Sequence, residues 1–172
     1  DADAAQPTSA QLTFLDSRLT DAENLGLTHA FIYFHPPEYC VESTHCNCQT
    51  TTGCGPSTTF VSIINRHPIV SATFHGHEHI LAWVHMSNAR VPGLTHQYEE
   101  FVTSSSGAPY GLTPYPARMD YYSYSSTIAA FSTIDVNGSS FTVNFYQTGT
   151  ITPVWTKTFT KSGAGTPIPT PT

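Results

Sequence analysis

The chain has 172 residues, of which only 10% are charged and 12% are aromatic, and twelve acidic residues against six basic ones give a net charge of −6. That length suits one ordinary domain or a piece of a larger one, and the acidic balance excludes a basic stripe of the kind that tracks nucleic acid. No run of about 18 apolar residues occurs, so no segment reads as a membrane-spanning helix. The first residues, Asp1-Ala2-Asp3-Ala4-Ala5, carry neither an initiator Met nor a signal peptide, so the expectation is a processed or truncated start.

Leu12, Leu15, Leu19 and Ala22 recur three or four apart, which predicts an amphipathic helix over residues 11–24, capped by Thr8 or Ser9 and ended by Gly26. The run Ala30-Phe31-Ile32-Tyr33-Phe34 is apolar on both faces, the pattern of an interior strand, and it stops at His35-Pro36-Pro37. Residues 38–56 read as a cysteine-rich insert holding Cys40, Cys46, Cys48 and Cys54. An even count in a short polar segment suggests two disulfides, 40–46 with 48–54 or 40–48 with 46–54, because a 46–48 bridge would close a very tight ring. The central C-x-C lacks the paired spacing of a structural zinc site. Ser57 is a candidate N-cap for a second helix over residues 58–66, with Phe60, Ile63 and Ile64 inward.

After Pro68 a strand is expected over residues 69–74, running into His75-Gly76-His77-Glu78-His79, and another follows over 80–85. Residues 100–104 make a further short strand, and 104–109 a small-residue turn. Residues 110–124, with five tyrosines, read as an aromatic loop. Two strands, 127–136 and 139–146, flank Asn137-Gly138, a strong hairpin signal, and residues 154–159 add a last strand. Asn137-Gly138-Ser139 is also an N-glycosylation acceptor triplet. Residues 163–172 form a Pro/Thr-rich extended tail that cannot pack a core. With 43 Ser and Thr residues, few lysines and the cysteine cluster, the expected location is extracellular or secreted.

Helix, strand, helix, strand, with both strands ending in histidines, is the order of an α/β layer whose ligands sit at strand C-termini. Alternate residues on an extended turn point to opposite sides. His77 and His79 can therefore reach two metal ions flanking the turn, or grip one if it curls. His35 projects into the same strand-end crevice. Three neutral imidazoles suit Zn, Fe, Mn or Cu better than alkaline-earth ions. Glu78, between two ligands, reads as a solvent-facing spacer. His75 is within reach of the crevice, whereas His29, His45, His67, His85 and His96 read as surface or supporting groups.

A helix, an apolar strand ending in His-Pro-Pro, a second helix and a strand ending in Gly-His-x-His together resemble the C-terminal half of the calcineurin-like metallophosphoesterases, the superfamily that includes purple acid phosphatases. The resemblance runs over about residues 11–159, including residues 101–108 and the late hairpin. It implies an α/β (α+β) fold, half of a two-sheet αββα sandwich with a C-terminal antiparallel hairpin region. Residues 1–162 would then be a partial domain. It implies that His35 and His77 serve one metal and His79 the other, in a centre of two divalent or trivalent transition metals (Fe, Zn or Mn). In such enzymes the metals, about 3.5–4 Å apart, clamp a phosphate ester and supply a hydroxide nucleophile. Tyr110 and the other loop tyrosines could wall a substrate pocket.

The Asp-x-His, Gly-Asp-x-x-Asp and Gly-Asn-His-(Asp/Glu) motifs of the superfamily's first half do not occur in this sequence. Alone, the chain is expected to be a poor catalyst. Two functions follow from the resemblance. One is the C-terminal portion of a secreted phosphoesterase that acts with an N-terminal half; the other is a non-catalytic structural or binding subunit of an extracellular assembly that keeps the scaffold.

Overall fold

The computed structural model of the chain describes residues 7–42, 56–103, 113–123 and 129–161. Helix α1 (Ser9–Asn24) starts where Thr8, in extended conformation, accepts the Gln11 N–H on its hydroxyl while the Gln11 side chain accepts the Thr8 N–H at 2.7 Å. This reciprocal cap satisfies two donors that a helix start would otherwise strand. The apolar stripe packs inward as its spacing requires: Leu19 is buried, and Leu12, Leu15 and Ala22 lie against the same core. Helix α2 (Thr58–Arg66) is capped by the Ser57 hydroxyl and buries Phe60, Val61, Ile63 and Ile64. The two helices join through Asp16, which accepts from Arg66 at 2.7 Å and meets His67 at 2.8 Å, and the second ring nitrogen of His67 lies 2.9 Å from Glu23.

Strands β1 (Ala30–Tyr33), β2 (Val70–His75), β3 (Leu81–Met86), β4 (Tyr98–Thr103) and β5 (Tyr121–Ser123) form one mixed sheet in the order β1-β2-β4-β3-β5. β1, β2 and β4 run parallel, and β3 is antiparallel to both its neighbours. Two expectations are corrected here. β1 is an edge strand among the described residues, and Tyr33 is 64% exposed. Its apolar run is explained by layers above and below rather than by flanking strands: Ile32 packs toward the helices, while the Phe31 ring sits 5.3 Å from that of Phe141 in the second sheet. The aromatic stretch is only partly a loop, because its described portion contains a 3-10 turn (Pro116–Arg118) and β5. Tyr121 there stacks on Trp155 with centroids 5.0 Å apart.

Strands β6 (Ala130–Asn137), β7 (Ser140–Gln147) and β8 (Trp155–Thr160) form a second, antiparallel sheet. The β6–β7 turn falls at Asn137-Gly138, where Gly138 has φ 59°, a left-handed conformation that glycine adopts without a Cβ clash. The main sheet is thus sandwiched. Val84, Met86, Tyr98 and Val102 face the helices, whereas Phe74, Leu81 and Phe101 meet Phe141, Val143 and Phe145 of the small sheet. Trp83 and Trp155 also lie in this second layer, 5.8 Å apart, with the Lys157 ammonium 3.4 Å above the Trp83 ring centre. The α/β class and the late hairpin expected from the sequence are both present.

Candidate metal centre

Because β1, β2 and β4 are parallel, their C-terminal ends share one edge of the sheet, the usual place for ligands in an open α/β sheet. His35 lies two residues beyond β1 and His77 two beyond β2. The strand ends are stitched together: the Gly76 N–H donates to the His35 carbonyl at 3.0 Å, and the Thr103 hydroxyl donates to the His75 carbonyl at 2.9 Å. The chain then turns sharply, with the Glu78 N–H on the Gly76 carbonyl at 2.6 Å and the Ile80 N–H on the Glu78 carbonyl at 2.8 Å. Between these closures His77 takes φ 59°, a left-handed state that costs a non-glycine residue roughly 1–2 kcal/mol.

That strained turn brings His77 Nδ1 to 3.3 Å from His35 Nε2, with the ring centroids 5.0 Å apart and the planes at 73°. A Cβ at Gly76 would stand 3.4 Å from His35 Nδ1, so the His35 ring lies directly over the glycine. Two nitrogens bound to one tetrahedral zinc at about 2.1 Å would be about 3.4 Å apart. The pair therefore fits two positions on a single metal ion, and His35 is exposed where such an ion would arrive. Among the described residues no three His, Cys, Asp or Glu side chains stand in metal-holding geometry, and His79 is half-buried. The described residues bring no bridging carboxylate to the pair, so they do not by themselves fit a two-metal centre.

Glu78 is not the solvent-facing spacer that its position suggested. It is completely buried, and its carboxylate accepts the Val41 N–H at 2.8 Å. The tight turn explains this, since reversing the chain at His77 drives the next side chain under the segment that leaves His35. A polar cluster lies behind, on the helix side of the sheet. His75 is buried, with Nδ1 3.1 Å from the Phe34 carbonyl and Nε2 3.7 Å from Glu100. Burial pushes its pKa down to about 3 against the opposing pull of the Phe34 and Pro36 carbonyls, and His35 nearby lowers it further. Glu38, Tyr98 and Glu100 complete the cluster, all buried. Sequence reasoning missed Glu38 and Glu100, although Tyr98, Glu100 and Val102 alternate along one strand, and a strand begun at Tyr98 would have placed Glu100 on the buried face.

The other candidates are scattered. His29 bonds Ser71 at 2.7 Å, His85 bonds Glu99 at 2.9 Å, and His96 bonds the Val70 carbonyl at 2.7 Å. Asn137 is exposed at the hairpin turn. Cys40 is buried, with Sγ 3.0 Å from the Glu42 carbonyl oxygen. His45, Cys46, Cys48, Cys54, Tyr110, Tyr124, the turn 104–109 and the tail 163–172 lie outside the described residues. A cleft of about 610 Å³ opens beside the pair, between Tyr33, Phe74, Gly76 and Thr103 on one side and Ser132 and Ile134 of β6 on the other.

No family model matches the sequence, and no curated protein matches it. Solved structures do match. One is a dimetal phosphatase from Danio rerio, at TM-score 0.54 and 15% identity over 89% of this chain and 38% of that one. Another is GAP50, described as the anchor in the inner membrane complex of Plasmodium, at TM-score 0.64 and 11% identity over 93% of this chain and 45% of that one. The chain thus spans less than half the length of either protein. Over about 90% of its residues, it has the metallophosphoesterase-like fold that its histidine-ended strands implied.

Proposed function

We propose that this chain is the C-terminal, metal-holding portion of a secreted phosphoesterase acting on phosphate esters. The observation that carries the reading is the His35–His77 pair, two imidazole nitrogens 3.3 Å apart at the shared end of parallel strands. His35 and His77 would hold one transition metal (Fe, Zn or Mn), and His79 would serve a second whose other ligands come from an N-terminal half. When bound, such metals polarise phosphoryl oxygens and activate water. The chain's own contribution is positional. Gly76 lets the His35 ring approach the backbone, the left-handed turn aims His77 at it, and the cleft beside them gives room for the ester. Disulfides among Cys40, Cys46, Cys48 and Cys54, and a glycan on Asn137, belong to the same extracellular reading.

The likeness to GAP50, over 93% of the chain, favours a second reading: a scaffold that works as an anchor or subunit without hydrolysis. Titration with Zn²⁺, Mn²⁺ and Fe²⁺, followed by calorimetry, tests the first. The expected result is binding that His35→Ala and His77→Ala each weaken at least tenfold, with an aryl phosphate hydrolysed only when the N-terminal half is present. Unchanged binding in both variants would remove the pair from any metal site and leave the anchor reading.

A further inference from the structure

Segment 38–42 is held onto the main sheet by a reciprocal clasp. From the sheet, Glu100 Oε1 accepts the Tyr39 N–H at 3.1 Å; from the segment, Glu38 Oε2 accepts the Tyr98 hydroxyl at 2.6 Å. Both carboxyl groups are fully buried. Among the described residues, their remaining oxygens, Glu38 Oε1 and Glu100 Oε2, have no hydrogen-bond partner, nor does His75 Nε2.

The hydrogen-bond logic fixes where protons belong. A carbonyl oxygen only accepts, so His75 Nδ1, which faces the Phe34 carbonyl, carries the ring hydrogen. His75 Nε2 is then a lone pair in need of a donor. Glu100 Oε2 lies 3.7 Å from it, beyond hydrogen-bond distance, with the Pro36 carbonyl also acting on the ring, and a carboxyl oxygen could approach as a donor only when protonated. Two ionised carboxylates buried side by side would cost several kcal/mol of desolvation and repulsion unless a cation compensated them, and no Lys or Arg is among the groups that move the Glu38 and Glu100 protonation equilibria.

We propose that Glu38 and Glu100 form a proton-holding clasp that keeps segment 38–42 on the sheet, and that losing these protons as the pH rises loosens the segment leaving His35. Burial pushes both carboxyl groups well above the ordinary carboxylate range; for Glu100 the Glu38 charge adds to this, against the Tyr39 and Glu38 backbone N–H groups, and for Glu38 the Tyr98 hydroxyl opposes it. Tyr98 is pushed up likewise by burial, then by both glutamates. The groups facing the clasp are His75 from β2, Tyr98 from β4, and Glu78 and Arg118, which bond the Val41 N–H and the Cys40 carbonyl of the same segment. On ionisation each O–H bond breaks, the proton leaves to solvent, and Glu100 loses its donor toward His75.

The sign follows from linkage. An acid whose folded pKa is raised binds its proton more tightly in the folded chain, so stability is full below the ordinary carboxylate pKa and falls as pH rises toward the folded value. Buried His75 and half-buried His29 and His96, all with lowered pKa values, act oppositely near and below the ordinary histidine range. Only the difference between wild type and variant therefore isolates the clasp. Glu100→Gln keeps an acceptor for Tyr39 and supplies a fixed donor toward His75, imitating the protonated acid.

Urea unfolding of the 172-residue chain and of the Glu38→Gln, Glu100→Gln and double variants, between about pH 5 and about pH 8, reads the linkage. Each glutamine should relieve up to a tenfold rise per pH unit in the wild-type unfolding constant across the window where that carboxyl is protonated only in the folded state. Infrared difference spectra of the wild type should show a protonated carboxyl stretch near neutral pH that Glu100→Gln diminishes. A variant-minus-wild-type difference independent of pH, or a wild type without a protonated carboxyl band, would overturn the proposal. The infrared measurement decides even if a variant fails to fold, and neither readout requires metal or activity.

Discussion

The buried Glu78 carboxylate accepts the backbone N–H of Val41 at 2.8 Å, tying the turn that carries His77 to the segment that follows His35. The two strand ends bearing the imidazole pair are therefore held in register from beneath as well as by the Gly76 N–H on the His35 carbonyl. Glu78→Gln should keep an acceptor for Val41 and change stability little. Glu78→Ala leaves that N–H buried without this acceptor, at a cost of about 1–3 kcal/mol. Urea denaturation of both variants checks the contrast, and equal stabilities would remove the tie.

His77 offers a separation of strain from chemistry. With φ 59°, its backbone is more comfortable as glycine than as alanine. His77→Gly should thus be about 1 kcal/mol more stable than His77→Ala, while both lose metal affinity. Paired thermal melts and zinc titrations would expose the error if Ala were the more stable of the two.

How much of this was legible in the sequence divides by physics. Helices α1 and α2 follow from local signals, a stripe at three and four spacing and a Ser or Thr cap, and they form within two residues of the expected bounds. The strand-end histidines were legible because an apolar run followed by His-Pro or Gly-His is a local pattern. The edge position of β1 was not, since an apolar run only says that both faces are covered, not by what. The burial of Glu78 also lay beyond reach, because it depends on a left-handed residue that few non-glycine positions adopt. The order of β3 and β4, swapped in the sheet relative to the chain, is a long-range choice with no local signature.

Asp16 gives a prediction in acid. Hydrogen bonds from Arg66 and then His67 hold its carboxyl below the usual carboxylate range. A depressed folded pKa means stability that is present above the ordinary aspartate pKa and lost as pH falls through the folded value. The side chain is 39% exposed, so solvent screening keeps the contribution to about 0.5 kcal/mol or less. Asp16→Asn should narrow the difference between melts at about pH 3 and about pH 6; an unchanged difference would assign the acid sensitivity elsewhere.

Phe101 is fully buried between the two sheets. It stacks on Phe74 at 5.0 Å and meets Phe145 and Phe159 edge-on at 6.1 Å and 5.7 Å. Phe101→Ala should cost about 3–5 kcal/mol, measured by urea denaturation. A cost near that of a surface substitution would mean that the small sheet does not pack on the large one as described.

Trp83 and Trp155 are the only tryptophans in the sequence, and they sit together in the layer between the sheets. The protein consequently carries an internal optical reporter for that one seam. Its emission follows separation of β6–β8 from the main sheet and is blind to α1 and α2, whose melting dominates the far-ultraviolet dichroism. Recording both signals during one unfolding titration would show whether the hairpin sheet leaves with the helices or before them.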